Sequence, residues 1–356
     1  MRRRFVPCVI WTLASVLAVC LLALPFPHVR DIVVRARAIT PATGSSSTAD
    51  PPSATAGTTV PDQSHQEINR LRGASWGSPC GLSRHPRPIH HVIWIWFENQ
   101  DPAHALRGRA TSQLAANCGT TGDYFGLTHP SLPNYLAATS GSTHGIRKDC
   151  LCTVSGPSLM SQVTTWRLYA QSMPRNCDPT DDLPYQSHHN FPLHFGTIDC
   201  AINDVPLSRL IPDLNAGHLP KFSFILPDAC HNMHYAKTGC HRRLTRKLAI
   251  QQANVWLQAV LTPILRSRAY RSGHTAIFIA WDEGEPVTDK GEHCLRTRSL
   301  DCQTSVIVVA PSVVPGKIAV NLYSPYSLLR TAERLLGLPL LGHARAARSM
   351  RPAFNL

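Results

Sequence analysis

His91-Val92-Ile93-Trp94-Ile95-Trp96-Phe97 is an unbroken apolar run that ends at the polar pair Glu98-Asn99. A short run without polar alternation reads as a strand covered on both faces. Three further runs share the character: Phe222-Ser223-Phe224-Ile225-Leu226, Thr275-Ala276-Ile277-Phe278-Ile279-Ala280-Trp281 and Ser305-Val306-Ile307-Val308-Val309. Helical segments such as residues 248–265 separate them. The expected fold class is therefore α/β, a three-layer α/β/α arrangement with a mostly parallel central sheet. In such sheets ligands bind beyond the carboxyl ends of the strands, so the residues following each run carry the functional information.

Those residues are polar. Glu98 and Asn99 follow the first run, and Asp282, Glu283 and Gly284 follow the third. The second leads into Pro227, Asp228, Cys230, His231, Asn232 and His234. The oxygen donors Glu98, Asn99, Asp282 and Glu283 form a set suited to a hard or borderline divalent cation. Polar caps on strands are common, so either pair alone is weak; the two together are not.

A second stretch adds a nucleophile. In Thr128-His129-Pro130-Ser131-Leu132-Pro133-Asn134-Tyr135 a serine lies between two prolines, with an imidazole before it and an amide after it. Each proline fixes its own φ and drives its predecessor toward extended geometry. The following run, Tyr135 to Gly141, reads as a short helix stopped by glycine. A serine at a helix entrance stands where backbone N–H groups converge, which suits an oxyanion such as phosphate. The plainer alternative for this segment is a Pro-rich turn carrying a surface serine.

Composition bounds the class. The 356 residues carry a formal net charge of +13, with no long Lys/Arg run and no alternation of basic with aromatic residues. That pattern gives no indication of a nucleic-acid groove and describes a basic surface that favours anionic substrates. Of 12 cysteines, Cys8 and Cys20 lie in the first apolar run. The rest are Cys80, Cys118, Cys150, Cys152, Cys177, Cys200, Cys230, Cys240, Cys294 and Cys302. Scattered even-numbered cysteines behind an export signal point to disulfides, in a pairing the sequence does not give. No CxxC pair supports a zinc thiolate site.

Met1-Arg2-Arg3-Arg4 precedes an apolar stretch over residues 5–26, a cleavable signal or a retained membrane anchor. Either one exports the rest of the chain, to the extracellular space or the cell surface. Residues 40–79 are rich in Ser, Thr and Pro and read as a disordered linker. The expected organisation is a signal or anchor segment and its flank at 1–39, the linker at 40–79, and one folded domain at 80–356.

The sequence resembles the secreted bacterial phosphoesterase family of acid phosphatases and phospholipases C, a branch of the alkaline-phosphatase-like superfamily. The likeness runs from about His90 to His343-Ala344. It rests on ordered blocks: Glu98-Asn99, the Thr128–Tyr135 stretch, His189-Asn190, the segment from Pro227 to His234, Trp281-Asp282-Glu283-Gly284, Ala310-Pro311-Ser312 with Pro315-Gly316, and Tyr326 to Glu333 followed by Gly337-Leu338-Pro339. The resemblance makes 80–356 a phosphoesterase domain. It implies Ser131 as nucleophile and Glu98, Asn99, Asp282 and Glu283 as ligands of a divalent metal ion. It places His129, His189 and His234 around the phosphate, one of them protonating the leaving group. A phosphate-ester small molecule or a phospholipid is the implied substrate.

Four positions depart from the family pattern. Asn232 and Tyr235 stand where acids are usual, Asn254 where Asp is frequent, and His188 where Arg is common. Fewer cleft acids argue against a second metal. Two other functions compete: phospholipase C-like diester cleavage, and a surface binding module with a degenerate site. A sulfatase fits poorly, because Tyr135 occupies the position of its arginine. Trp94, Trp96 and Trp281 read as core or cleft wall, His85, His90, His91 and His104 as surface residues, and Glu333 as structural. Asp149 and Asp178 have no assignable role.

Overall fold

A computed structural model describes residues 76–235, 240, 243–285 and 294–356. The expected anchor within 1–39 and residues 40–75 of the expected linker lie outside the described residues. Among the described residues no helix is long and apolar enough to cross a membrane.

The strands are β1 His91–Phe97, β2 Gly119–Phe125, β3 Trp166–Ala170, β4 Asp204–Pro206, β5 Phe222–Leu226, β6 Thr275–Trp281, β7 Gln303–Thr304, β8 Val306–Val309 and β9 Lys317–Tyr323. They form a single sheet in the order β4-β3-β5-β1-β6-β8-β2-β7, with β9 paired to β2. From β4 to β6 every pairing is parallel. The fourth apolar run departs from expectation: β8 runs antiparallel to both β6 and β2. Its carboxyl end therefore points to the opposite edge, and Ala310-Pro311-Ser312 is a turn away from the other strand ends, as a reversed strand requires.

Ring contacts establish the layers. The main helices are α1 Arg109–Asn117, α2 Leu132–Ser140, α3 Arg246–Arg266 and α4 Pro325–Leu336. Trp96 packs on Tyr135 of α2 with ring centres 4.8 Å apart, while its neighbour Phe97 meets Trp256 of α3 edge-on at 5.8 Å. Successive strand residues point to opposite faces, so α2 and α3 cover opposite sides of the sheet. α4 packs with α2 and α1 with α3, completing the expected three layers. Trp94, Trp96 and Trp281 are fully buried in this core.

α2 stops where the sequence predicts. Gly141 adopts φ 76°, and a Cβ there would lie 2.5 Å from the Leu341 carbonyl oxygen. Both the left-handed backbone and the close approach exclude a side chain. All ten described cysteines are paired: Cys80–Cys118, Cys150–Cys152, Cys177–Cys200, Cys230–Cys240 and Cys294–Cys302.

Glu333 of α4 is structural, as expected. Its Oε1 accepts the Leu341 N–H at 2.8 Å, while Oε2 is buried without a partner. Burial pushes its pKa up to about 7. The folded state thus holds a proton that the unfolded chain releases at lower pH, and stability falls as pH rises through that interval. Glu333→Gln keeps the carbonyl acceptor and removes the titration. Its melting temperature, relative to the parent protein, should rise between pH 5 and pH 8; a constant difference across that range would refute the assignment.

Candidate active site

Register brings the two acidic pairs together. Phe97 of β1 pairs with Trp281 of β6 in parallel, so Glu98 and Asp282 leave adjacent strands at the same level. The backbone locks this edge: Asp282 N–H donates to Phe97 O at 3.2 Å, Gln100 N–H to Glu283 O at 3.3 Å, and Glu98 N–H to Asn232 O at 2.8 Å. Side-chain alternation gives Glu98 the parity of Trp96, the face covered by α2. Ser131 stands at the start of that helix.

Glu98 is saturated. The Ser131 hydroxyl donates to its Oε2 at 2.8 Å and the Tyr135 hydroxyl to its Oε1 at 2.5 Å. His189 Nε2 lies 3.4 Å from the same Oε1, with the His189 ring stacked on Tyr135 at 5.3 Å. Glu283 is similarly held: Asn99 Nδ2 donates to Oε1 at 2.5 Å, Asn134 Nδ2 to Oε2 at 3.1 Å, and His129 Nδ1 lies 3.0 Å from Oε2. Asn134 also accepts the Leu127 N–H at 2.7 Å and donates to Thr128 O, fixing the turn that presents Ser131.

Asp282 is different. It is fully buried, and neither oxygen makes a well-formed hydrogen bond, although the Ser131 hydroxyl and the Glu283 N–H lie close to it. The single Ser131 proton is given to Glu98. Burial, then the charges of Glu98 and Glu283, pushes the Asp282 carboxyl well above the usual carboxylate range. Burial above all likewise raises Glu283 to about 7. The Asn99 Oδ1 atom is also buried without a donor. Buried oxygens of one sign with no partner are rare and demand a counter-charge. Glu98, Asn99, Asp282 and Glu283 are the residues here that could hold a divalent cation. Among the described residues, Glu98, Asp282 and Glu283 do not form a group of three donors within 4.8 Å of one another. Groups of three candidate donors within 4.8 Å of one another occur elsewhere, at His129–Cys294–Cys302, Cys177–Cys200–Asp204 and Asp101–His104–Glu285. The first two include disulfide sulfurs, which are not thiolates.

The histidines separate by environment. Burial alone would lower the pKa of His129, but the Glu283 carboxylate outweighs it and the net shift is upward. Its Nε2 lies 3.8 Å from Cys302 Sγ, so the ring is tied on both sides. His189 is held neutral, burial first and the nearby His188 second driving its pKa well down. His234 is half-buried next to these groups; its backbone N–H donates to Asn232 Oδ1 at 3.0 Å.

One expectation fails here. The first turn of α2, after Ser131, does not offer free amides. Asp149 Oδ1 accepts the Leu132 N–H at 3.0 Å, Pro133 has none, and Asn134 and Tyr135 donate to Ser131 O. Asp149, left without a role by the sequence, fills the place proposed for an oxyanion. Asn254 makes structural bonds. Its Oδ1 accepts the Thr111 N–H at 2.9 Å and Nδ2 donates to Ile250 O, joining α3 to α1. Of the other departures, Tyr235 donates to Glu285 and His188 Nδ1 lies 3.8 Å from Asp181.

Tyr135 was missed as a site residue because a tyrosine in a short apolar helix reads as core. Tyr135→Phe removes one donor from Glu98 and leaves the packing on Trp96 intact. Phosphatase turnover should fall about tenfold, consistent with the loss of one hydrogen bond to a charged group. Unchanged turnover would show that the contact only packs.

Comparison with known proteins identifies the family. Residues 104–339 match the Phosphoesterase family. A phosphatidylinositol-3-phosphatase of Mycobacterium tuberculosis is 27% identical over 289 residues, spanning 77% of this chain and 87% of that protein. A phosphate-repressible acid phosphatase of Penicillium chrysogenum is 24% identical over 269 residues, spanning 70% of this chain and 59% of that protein. A Vibrio parahaemolyticus protein described as in the alkaline phosphatase superfamily superposes with a TM-score of 0.48 at 10% identity, covering 82% of this chain and 80% of its own. The match extends over more than half of the sequence, and the chain belongs to the Phosphoesterase family, as a hydrolase acting on phosphoric ester bonds.

Proposed function

We propose that this chain is an exported phosphatase of acid-phosphatase type, in which Ser131 attacks phosphorus beside one divalent cation held by Glu98, Asn99, Asp282 and Glu283. One observation carries the proposal: Ser131 Oγ bonds Glu98 at 2.8 Å, beside a fully buried Asp282 neither of whose oxygens makes a well-formed hydrogen bond. A cation bound there lowers the serine pKa and offsets charge on the phosphoryl oxygens.

The chain's own groups supply the rest. Glu98 Oε2 is the acceptor nearest the serine proton, and Tyr135 fixes that carboxylate in place. Bond formation from Ser131 Oγ to phosphorus breaks the bond to the leaving oxygen and yields phosphoserine. Water then takes the phosphoryl group and regenerates the serine. His234 is the proposed general acid, since His129 is engaged by Glu283 and Cys302 and His189 is neutral. The relative's name, a phosphatidylinositol-3-phosphatase, favours monoester over diester cleavage. The disulfides suit an oxidising compartment outside the cytoplasm and support export of the 80–356 domain.

The test is release of p-nitrophenol from p-nitrophenyl phosphate by the purified protein, with elemental analysis of bound metal. Turnover that a chelator abolishes and a divalent cation restores is the expected result. Turnover indifferent to chelation, in a protein free of metal, would overturn the mechanism.

A further inference from the structure

A large concavity lies away from this site. A cavity of about 1300 Å³ runs along α3, beside the turn that leads into α1, and neither Ser131 nor any of the four proposed metal holders lines it. Its wall divides by chemistry. Leu248, Val255 and Ala259 line it at helical spacings of seven and four residues, forming an apolar stripe along one side of α3. Arg107, Arg109, Arg246 and Lys247 also line it, and no carboxylate does.

These cations are not equivalent. Arg246 is committed: it pairs with Glu285, and its guanidinium lies 4.9 Å over the Tyr235 ring. Arg107 and Lys247 are exposed, and among the described residues neither has an acidic partner. A lone surface cation holds phosphate weakly in water. Beside an apolar groove it can act as the head-group contact for a ligand whose tail is removed from water. The stripe from Leu248 to Ala259 spans about 16 Å at the helical rise, the reach of a medium alkyl chain.

We propose that this groove binds a single anionic amphiphile, with its phosphate or phosphonate head at Arg107 and Lys247 and its alkyl tail along α3. The site is separate from Ser131 and does not depend on the catalytic assignment. Titration calorimetry of the full chain, with monomeric dodecylphosphonate as probe, tests it. Methylphosphonate serves as the tailless control and dodecyltrimethylammonium as the charge-reversed one. Dodecylphosphonate should bind at least tenfold more tightly than either control. The double variant Arg107→Glu/Lys247→Glu should lose at least tenfold of that affinity, with its melting temperature and p-nitrophenyl phosphate turnover unchanged.

Equal binding of methylphosphonate or of the cationic amphiphile would overturn the proposal, as would affinity that survives the charge reversal. Sedimentation with anionic vesicles without binding of the monomer would make the surface a membrane contact and equally overturn it. A wild-type protein without turnover would defeat the catalytic reading yet leave this binding measurement intact.

Discussion

Ser131→Ala is expected to lower turnover of p-nitrophenyl phosphate by at least about three orders of magnitude, because a nucleophile and the groups that activate it act as one unit. The fold should survive. Ser131 makes no side-chain capping bond to α2, and its hydroxyl donates to Glu98 and lies close to Asp282. Removing it leaves Glu98 with Tyr135 still bonded to Oε1, so the stability loss should be about 1 kcal/mol. A second measurement separates nucleophile from bystander: acid quenching during turnover should trap phosphate on Ser131 in the parent protein and nowhere in the variant. Activity above a few per cent of the parent's, or phosphate trapped on another residue, would remove Ser131 from the mechanism.

Asp282→Asn should abolish metal binding and activity while making the metal-free protein more stable. The cause is electrostatic. Asp282 is fully buried with no well-formed hydrogen bond to either oxygen, and Glu98 and Glu283 share its surroundings. Without a counter-ion these groups repel, and an uncharged amide relieves the repulsion at nearly constant volume. Saturating divalent cation should raise the parent's melting temperature by mass action and leave the variant's nearly unmoved. In chelator the order reverses, with the variant melting higher. A variant that melts lower than the parent in chelator would mean that Asp282 serves the fold rather than an ion. Strain accepted in the metal-free state for function is the usual origin of such inverse effects.

The apolar runs at 91–97, 222–226 and 275–281 became strands because an unbroken apolar segment of that length has to be covered on both faces. Gly141 ended α2 for a reason equally local, its positive φ. The edge strand β9 gave no such signal, since it leaves Ile318 and Val320 exposed and its pattern resembles a loop. β2, with Gly119 and Gly122 in a polar segment, was equally silent. The acidic pairs were legible as residue types after strands, but their meeting was inferred rather than read.

Local sequence thus determined four of the strands, where α2 would stop and that the cysteines would be oxidised. These properties depend on one residue's preference or one segment's burial, and composition and periodicity report both directly. The tertiary structure alone decided that β8 runs backwards, that Glu98 and Asp282 share a level, that Tyr135 holds Glu98, and that Asp149 rather than an oxyanion takes the Leu132 amide. Each of those is a relation between residues distant in the chain, fixed by strand register and packing, and no single stretch of sequence encodes it.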